Sequence, residues 1–259
     1  MTKADATMMK WVLILITGCL WGAFAATAGR VISLSPALTE TIYALGAQDQ
    51  LVGRSSACDY PAEVLNLPVC GNFAQPVFER VVALNPDLIV TDVFQDANVT
   101  KSFRDLGIRV EVLPLVKLAD YPAAVNRLGE LLAVPEAARR LRDAYEHDYA
   151  ELAAARPAET PRTLVLVWEQ PLITFGNQVF LNDYLQLAGG VNPAGDRDCG
   201  YFTCTAEWAL LSAPEVVVSL VEPTAVAEPW PAPDGWLEVP AVARHRTFRV
   251  PDNGRISRL

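Results

Sequence analysis

From Leu118 to Arg156 the sequence reads as helix, and on both sides of that stretch short aliphatic runs alternate with helical segments. Alternation of this kind builds a mostly parallel sheet covered by helices, so each side is expected to form its own α/β lobe. Within the middle stretch Tyr121–Ala133 makes one helix. Pro135 opens a second, in which Ala138, Leu141, Ala144, Tyr145, Tyr149 and Leu152 recur at helical spacing. A helix from Pro135 to Arg156 measures about 33 Å at the α-helical rise, which suits a strut between two lobes.

In the first lobe strands are expected at Arg30–Leu34, Leu51–Ser55, Leu88–Asp92 and Ile108–Leu113, with helices at Val77–Asn85 and Asn98–Leu106. Ser35-Pro36 supplies an N-cap and a first-turn proline for a further helix that ends near Leu45-Gly46. The second lobe is expected to hold strands at Thr163–Trp168 and Val216–Leu220, and a helix around Val179–Leu187 closed by Gly189-Gly190. Pro223, Pro229, Pro231 and Pro233 make Glu222–Asp234 a surface loop without regular structure.

The two halves share a diluted repeat. Glu79-Arg-Val-Val-Ala-Leu-Asn-Pro86-Asp87-Leu-Ile-Val90 returns as Glu207-Trp-Ala-Leu-Leu-Ser-Ala-Pro214-Glu215-Val-Val-Val218, and Arg30 and Arg162 each open a half. One helix–proline–strand unit is commonplace. The same spacing at matching places in both halves indicates pseudo-symmetric lobes.

At the N-terminus Lys3 and Lys10 precede an apolar run from Trp11 to Ala25, and Ala26-Thr27-Ala28 follows as an A-x-A cleavage site. Residues 1–28 therefore read as a secretory signal peptide. The run falls short of the ~20 apolar residues that a membrane-spanning helix needs. A second reading takes Ile16-Thr17-Gly18-Cys19 as a bacterial lipobox with Cys19 lipidated. Export to the periplasm leaves Cys58, Cys70, Cys199 and Cys204. An even count in an oxidising compartment suggests disulfides, and pairing Cys58 with Cys70 and Cys199 with Cys204 is the simplest connectivity.

With 30 acidic against 21 basic residues and a net charge of −9, the chain lacks the cationic surplus that binding nucleic acid requires. The G-x-S-x-G, Walker and G-x-G-x-x-G patterns are absent. His147 and His245 lie far from both cysteine pairs, neither of which has C-x2-C spacing, so no metal site is expected. Aromatic residues carry the remaining signal. Tyr60, Phe73, Phe94, Trp168, Phe175, Tyr201 and Phe202 cluster at strand ends, where crevices form in open α/β sheets. Taken singly each reads as packing; taken together they line an apolar interlobe cleft for a large flat ligand. Asp252, Arg255 and Arg258 read either as polar contacts at its rim or as an exposed charged tail.

The stretches Arg30-Val-Ile-Ser-Leu-Ser-Pro-Ala-Leu-Thr-Glu40, Ser56-Ala-Cys-Asp59-Tyr60-Pro61, the unit from Glu79 to Val90, and Ala188-Gly-Gly-Val-Asn192 together resemble the helical-backbone (class III) substrate-binding proteins of ABC importers. Within that family they are most similar to the corrinoid-binding branch. The resemblance covers residues 30–258 and is strongest in the first half. It implies a non-enzymatic monomer with no cofactor of its own: an N-terminal lobe at 29–117, a helical connector at 118–157 and a C-terminal lobe at 158–259. It also implies limited hinge motion, and a corrinoid (cobalamin or cobinamide) carried in the cleft to a membrane permease dimer.

Phe73, Phe94, Trp168 and Tyr201 stand near the family's aromatic pocket positions, and Asp252 with Arg255 or Arg258 near its polar pair. Ala57 and Ile173 depart, standing where the corrinoid binder has a Tyr and a Phe. Glu79 and Glu207 match the acids that dock onto permease arginines. Without the resemblance each is a first-turn helix acid favoured by the macrodipole. A ferric-siderophore or haem receptor of the same architecture is the alternative, and an exported redox module built on the cysteine pairs a more distant one, although Cys199 and Cys204 lack C-x-x-C spacing. The family's final helix would begin about where the chain stops at Leu259, so the expectation is either a fragment or a second lobe that lacks part of its cover.

Overall fold

A computed structural model describes residues 29–73, 75–93, 97–221, 230, 232–233 and 235–250. The export signal, Cys19, Phe94, Asp252, Arg255, Arg258 and most of the proline-rich stretch lie outside the described residues. The first lobe runs β1 (Val31–Ser33), α1 (Pro36–Ala44), β2 (Leu51–Arg54), the small hairpin β3 (Gly71–Asn72) and β4 (Gln75–Pro76), α2 (Phe78–Ala83), β5 (Leu88–Thr91), α3 (Ala97–Asp105) and β6 (Arg109–Val112). Its main sheet is parallel, in the order β2-β1-β5-β6. Ser35 caps α1 by accepting from the Leu38 amide, with Pro36 in the first turn.

Side chains along a strand alternate between faces, and both faces of this sheet are buried. Val31, Leu88 and Val90 pack with Leu38 and Ile42 of α1 on one side. Ile32, Ile89 and Val110 pack with Val81 of α2 and Phe103 of α3 on the other. Two connector helices complete the first core, α4 (Tyr121–Leu131) with Val125 and Leu128, and α5 (Pro135–Ala154) with Ala138. These helices approach closely because Gly129 has no side chain; a Cβ there would lie 2.3 Å from that of Ala138. The 20 residues of α5 extend about 30 Å, as the strut reading expects.

The second lobe runs β7 (Thr163–Leu166), β8 (Trp168–Glu169), β9 (Leu172–Phe175), α6 (Phe180–Leu187), β10 (Tyr201–Thr203), α7 (Ala206–Ser212), β11 (Val216–Ser219), α8 (Pro240–Ala243) and β12 (Thr247–Arg249). Its parallel sheet has the order β12-β11-β7, and a separate antiparallel sheet has the order β10-β9-β8. That second sheet has no counterpart in the sequence reading. An open apolar cavity of about 500 Å³ lies over the second lobe, lined by Val165, Phe175, Leu181, Leu185 and Val218 among others. No described helix is long and apolar enough to cross a membrane.

The repeat is structural. Asn85 follows α2 and Ala213 follows α7, each just before a proline, and both adopt a left-handed φ of 45°. Asp87 Oδ2 accepts from the Arg30 amide at 2.9 Å, and Glu215 Oε2 from the Arg162 amide at 3.0 Å. The guanidinium groups reciprocate: Arg30 donates to the Leu84 carbonyl at 2.7 Å, and Arg162 to that of Ser212. Each half is thus pinned by an acid and an arginine at matching places. An L-residue with a Cβ is strained in this region, so Ala213→Gly is expected to stabilise the protein by about 1 kcal/mol. A rise of ~2–4 °C in Tm would register it; a fall would show that Ala213 is unstrained.

Two expectations are corrected. All four cysteines are free thiols. Cys58 Sγ lies 3.2 Å from Thr39 Oγ1 and 3.1 Å from Ser55 Oγ, whereas Cys70 belongs to the apolar core of Val81 and Phe103. Cys199 Sγ sits beside Gly176, whereas Cys204 is buried in the second core with Leu164 and Ala209, with β10 between them. Within the proline-rich stretch Trp230 is no surface residue: it is 4% exposed and meets Trp236, which lies just beyond the stretch, edge to face at 5.5 Å inside the second core.

Candidate ligand-binding cleft

The carboxyl ends of the first lobe's parallel strands open onto one crevice, as expected for an open α/β sheet. Ser35, Pro36 and Ala37 follow β1, Ala57 follows β2, Asp92 and Val93 follow β5, and Leu115 and Val116 follow β6; all line the same cavity. Phe73, in the β3–β4 turn, completes that wall. The facing wall is built by the second lobe, from Gln178, Val179 and Phe180 at the start of α6 and Tyr201 on β10. The cavity measures about 350 Å³, within the usual range of small-molecule sites.

Most of the lining is apolar, which makes the few polar groups informative. Asp92 is the only charged residue among the described lining residues. Burial pushes its carboxyl above its ordinary value, opposed by hydrogen bonds from the Ser35 hydroxyl and from the backbone N–H groups of Asp92 and Val93. Tyr201 stands edge to face with the buried ring of Phe175 at 6.5 Å, which fixes its plane. Tyr201 is 56% exposed overall, and desolvation of its phenol group pushes its pKa up.

Of the residues singled out from sequence, Phe73 and Tyr201 meet here from opposite lobes. Trp168 does not line this cavity; it is 56% exposed on β8, and its indole N–H donates to the Gln170 carbonyl at 2.9 Å. Ile173 pairs with Trp168 and Thr203 within the antiparallel sheet. Phe180, Gln178 and Asp92 were not anticipated. Phe180 reads locally as the first apolar residue of a helix and Asp92 as the polar end of a strand, and only the closing of the lobes gives them a shared purpose.

The base of the cleft is tied across the lobes. Asp183 of α6 accepts from the Leu118 amide at 2.9 Å and lies 3.9 Å from Lys117 Nζ. Lys117 also donates to the Asn177 carbonyl. Tyr145 of the strut donates to the Leu118 carbonyl at 2.8 Å and packs on Tyr121. On the outer surface Glu79 and Glu207 are exposed in the first turns of α2 and α7, the matched helices of the repeat. Among the described residues no group of His, Cys, Asp and Glu could hold a metal ion.

The sequence matches the periplasmic binding protein family over residues 31–253. It is 27% identical over 223 residues to a vitamin B12-binding protein of Photorhabdus laumondii, covering 81% of this chain and 80% of that one. It is 28% identical to an uncharacterised ABC transporter substrate-binding lipoprotein of Bacillus subtilis, covering 85% and 72%. Among solved structures it superposes on the periplasmic vitamin B12-binding protein of Vibrio cholerae with a TM-score of 0.76 at 25% identity, over 87% of this chain and 89% of that one. The periplasmic haem-binding protein of the same organism gives a TM-score of 0.73 at 21% identity, over 86% and 90%. With two α/β lobes, a helical strut and an interlobe cleft all in place, the chain belongs to the periplasmic binding proteins, the extracytoplasmic, non-enzymatic receptors that carry a small molecule to an ABC importer.

Proposed function

We propose that the protein captures a corrinoid, cobalamin or cobinamide, in the interlobe cleft and delivers it to an ABC permease, with Glu79 and Glu207 as the docking contacts. The observation that carries the ligand is that aromatic side chains line the cleft from both lobes, Phe73 from one and Phe180 and Tyr201 from the other. Rings supply contact area to a flat macrocycle at little cost in side-chain entropy. The vitamin B12-binding relatives support the same reading. Phe94, Trp168, Asp252, Arg255 and Arg258 are proposed to extend the site around its rim.

Haem is the second reading, favoured by the similarity in fold to haem receptors and by a tyrosine in the cleft that has the oxygen to ligate iron. Desolvation of the Tyr201 phenol works against it, although the residue is 56% exposed, because a raised pKa opposes the phenolate that ferric iron prefers. An exported redox module is disfavoured more strongly: burial pushes Cys204 up to about 12 and raises Cys70 as well, whereas a reactive thiol needs a lowered pKa.

The test is to mix purified protein separately with cobalamin, cobinamide, haem and a ferric siderophore, following absorbance and calorimetric heat. Saturable binding of a corrinoid with dissociation constants at or below the micromolar range, about −8 kcal/mol, is the expected result. Binding of haem or siderophore with no response to either corrinoid overturns the reading.

A further inference from the structure

A carboxylate set among apolar side chains needs a partner. Asp92 lines the first lobe's wall of the cleft, and its Oδ1 is buried with no hydrogen-bond partner. The groups that support the carboxyl are the Ser35 hydroxyl and two backbone N–H groups, and no described cation is among them. An acceptor left in this state costs free energy until a donor reaches it. Phe73, Ala57, Val93, Leu115 and Val116 on the same wall have no side-chain donor to offer. Among the described residues none supplies the missing donor, and a ligand seated against this wall can bring it.

Resting on the corrinoid reading above, we infer that Asp92 determines specificity within that class: its carboxylate selects a ligand that presents a hydrogen-bond-donating carboxamide to the first lobe's wall, and rejects one that presents a carboxylate there. A carboxamide N–H satisfies Oδ1 and forms a charge-assisted bond. A ligand carboxylate at the same place brings two like charges together in a cleft where little water screens them. Burial, which already raises the Asp92 carboxyl, makes the ionised form more dependent on that incoming donor. Tyr201 and Gln178 on the opposite wall are neutral and fit either ligand.

The experiment compares cobinamide, whose periphery carries carboxamides, with cobyrinic acid, whose periphery carries carboxylates, on the full chain and on Asp92→Asn. The native protein is expected to prefer cobinamide by about a hundredfold or more, and Asp92→Asn to narrow that gap at least about tenfold. The asparagine is nearly isosteric and keeps an acceptor oxygen; an unchanged Tm confirms its fold, and if the variant does not fold, Asp92→Ser takes its place. Equal affinities in the native protein, or an undiminished gap in the variant, overturn the inference. If neither corrinoid binds, the corrinoid reading itself has failed. The same comparison then runs with haem and its dimethyl ester, where tighter binding of the ester, reversed or abolished in Asp92→Asn, still supports a carboxylate-rejecting role. Indifference to the ester, or binding of none of the four ligands, overturns it.

Discussion

Replacing Glu79 and Glu207 together by arginine is expected to abolish transport while leaving ligand affinity in solution within about twofold of the native value. Both acids are exposed in the first turn of matched helices, far in function from the cleft, whose described lining includes neither. The Arg30–Asp87 and Arg162–Glu215 pins hold the two helix–proline–strand units in equivalent local geometry, so the two carboxylates can meet equivalent basic pockets on a two-fold permease. Truncating one member of a buried charge pair costs about 2–5 kcal/mol, and reversal adds repulsion. Either single reversal should therefore slow uptake substantially and the double reversal should stop it. Affinity that falls in step with uptake overturns the docking role, since it would place the damage in the receptor itself.

The second large effect concerns folding. Trp236→Ala is expected to cost about 3–5 kcal/mol, the range for emptying a large aromatic site. Trp236 is 2% exposed, packs edge to face on Trp230 and shares the second lobe's core with Leu164, Val217 and Val239. Urea unfolding followed by circular dichroism should show the midpoint move down with the loss. A midpoint unchanged within error would mean that Trp236 contributes nothing to that core.

Aliphatic runs such as Leu88–Val90 and Val216–Val218 reveal parallel strands directly, because strands buried on both faces cannot alternate with polar residues. The helices of α1, α4 and α5 were legible for a similar reason, through the Ser35 cap, the prolines and the 3.6-residue spacing. The antiparallel sheet was not. β8 has only two residues, and Gln170-Pro171 interrupts the run toward β9, so no periodicity survives at that length. Trp230 and Trp236 were hidden by the prolines around them, since turn-forming residues say where a chain bends and nothing about what its bends bury.

The site divided along the same line. Phe73 and Tyr201 were found because aromatic residues at strand ends are conspicuous. Phe180 and Asp92 needed the second lobe to face the first before either had a role. The cysteines misled for a physical reason as well: three of the four are buried, and a buried thiol behaves as a small hydrophobe whose position reports packing rather than oxidation.

The ties among Lys117, Leu118, Tyr145 and Asp183 bear on how an importer meters its traffic. Where these ties persist with ligand bound, the receptor shows the membrane much the same outline whether vacant or laden. Shape then offers the transporter no tally of occupancy, and idle receptors compete for its mouth in proportion to their number. Raising receptor abundance at scarce nutrient should accordingly slow import instead of speeding it, a ceiling set by rigidity and not by affinity.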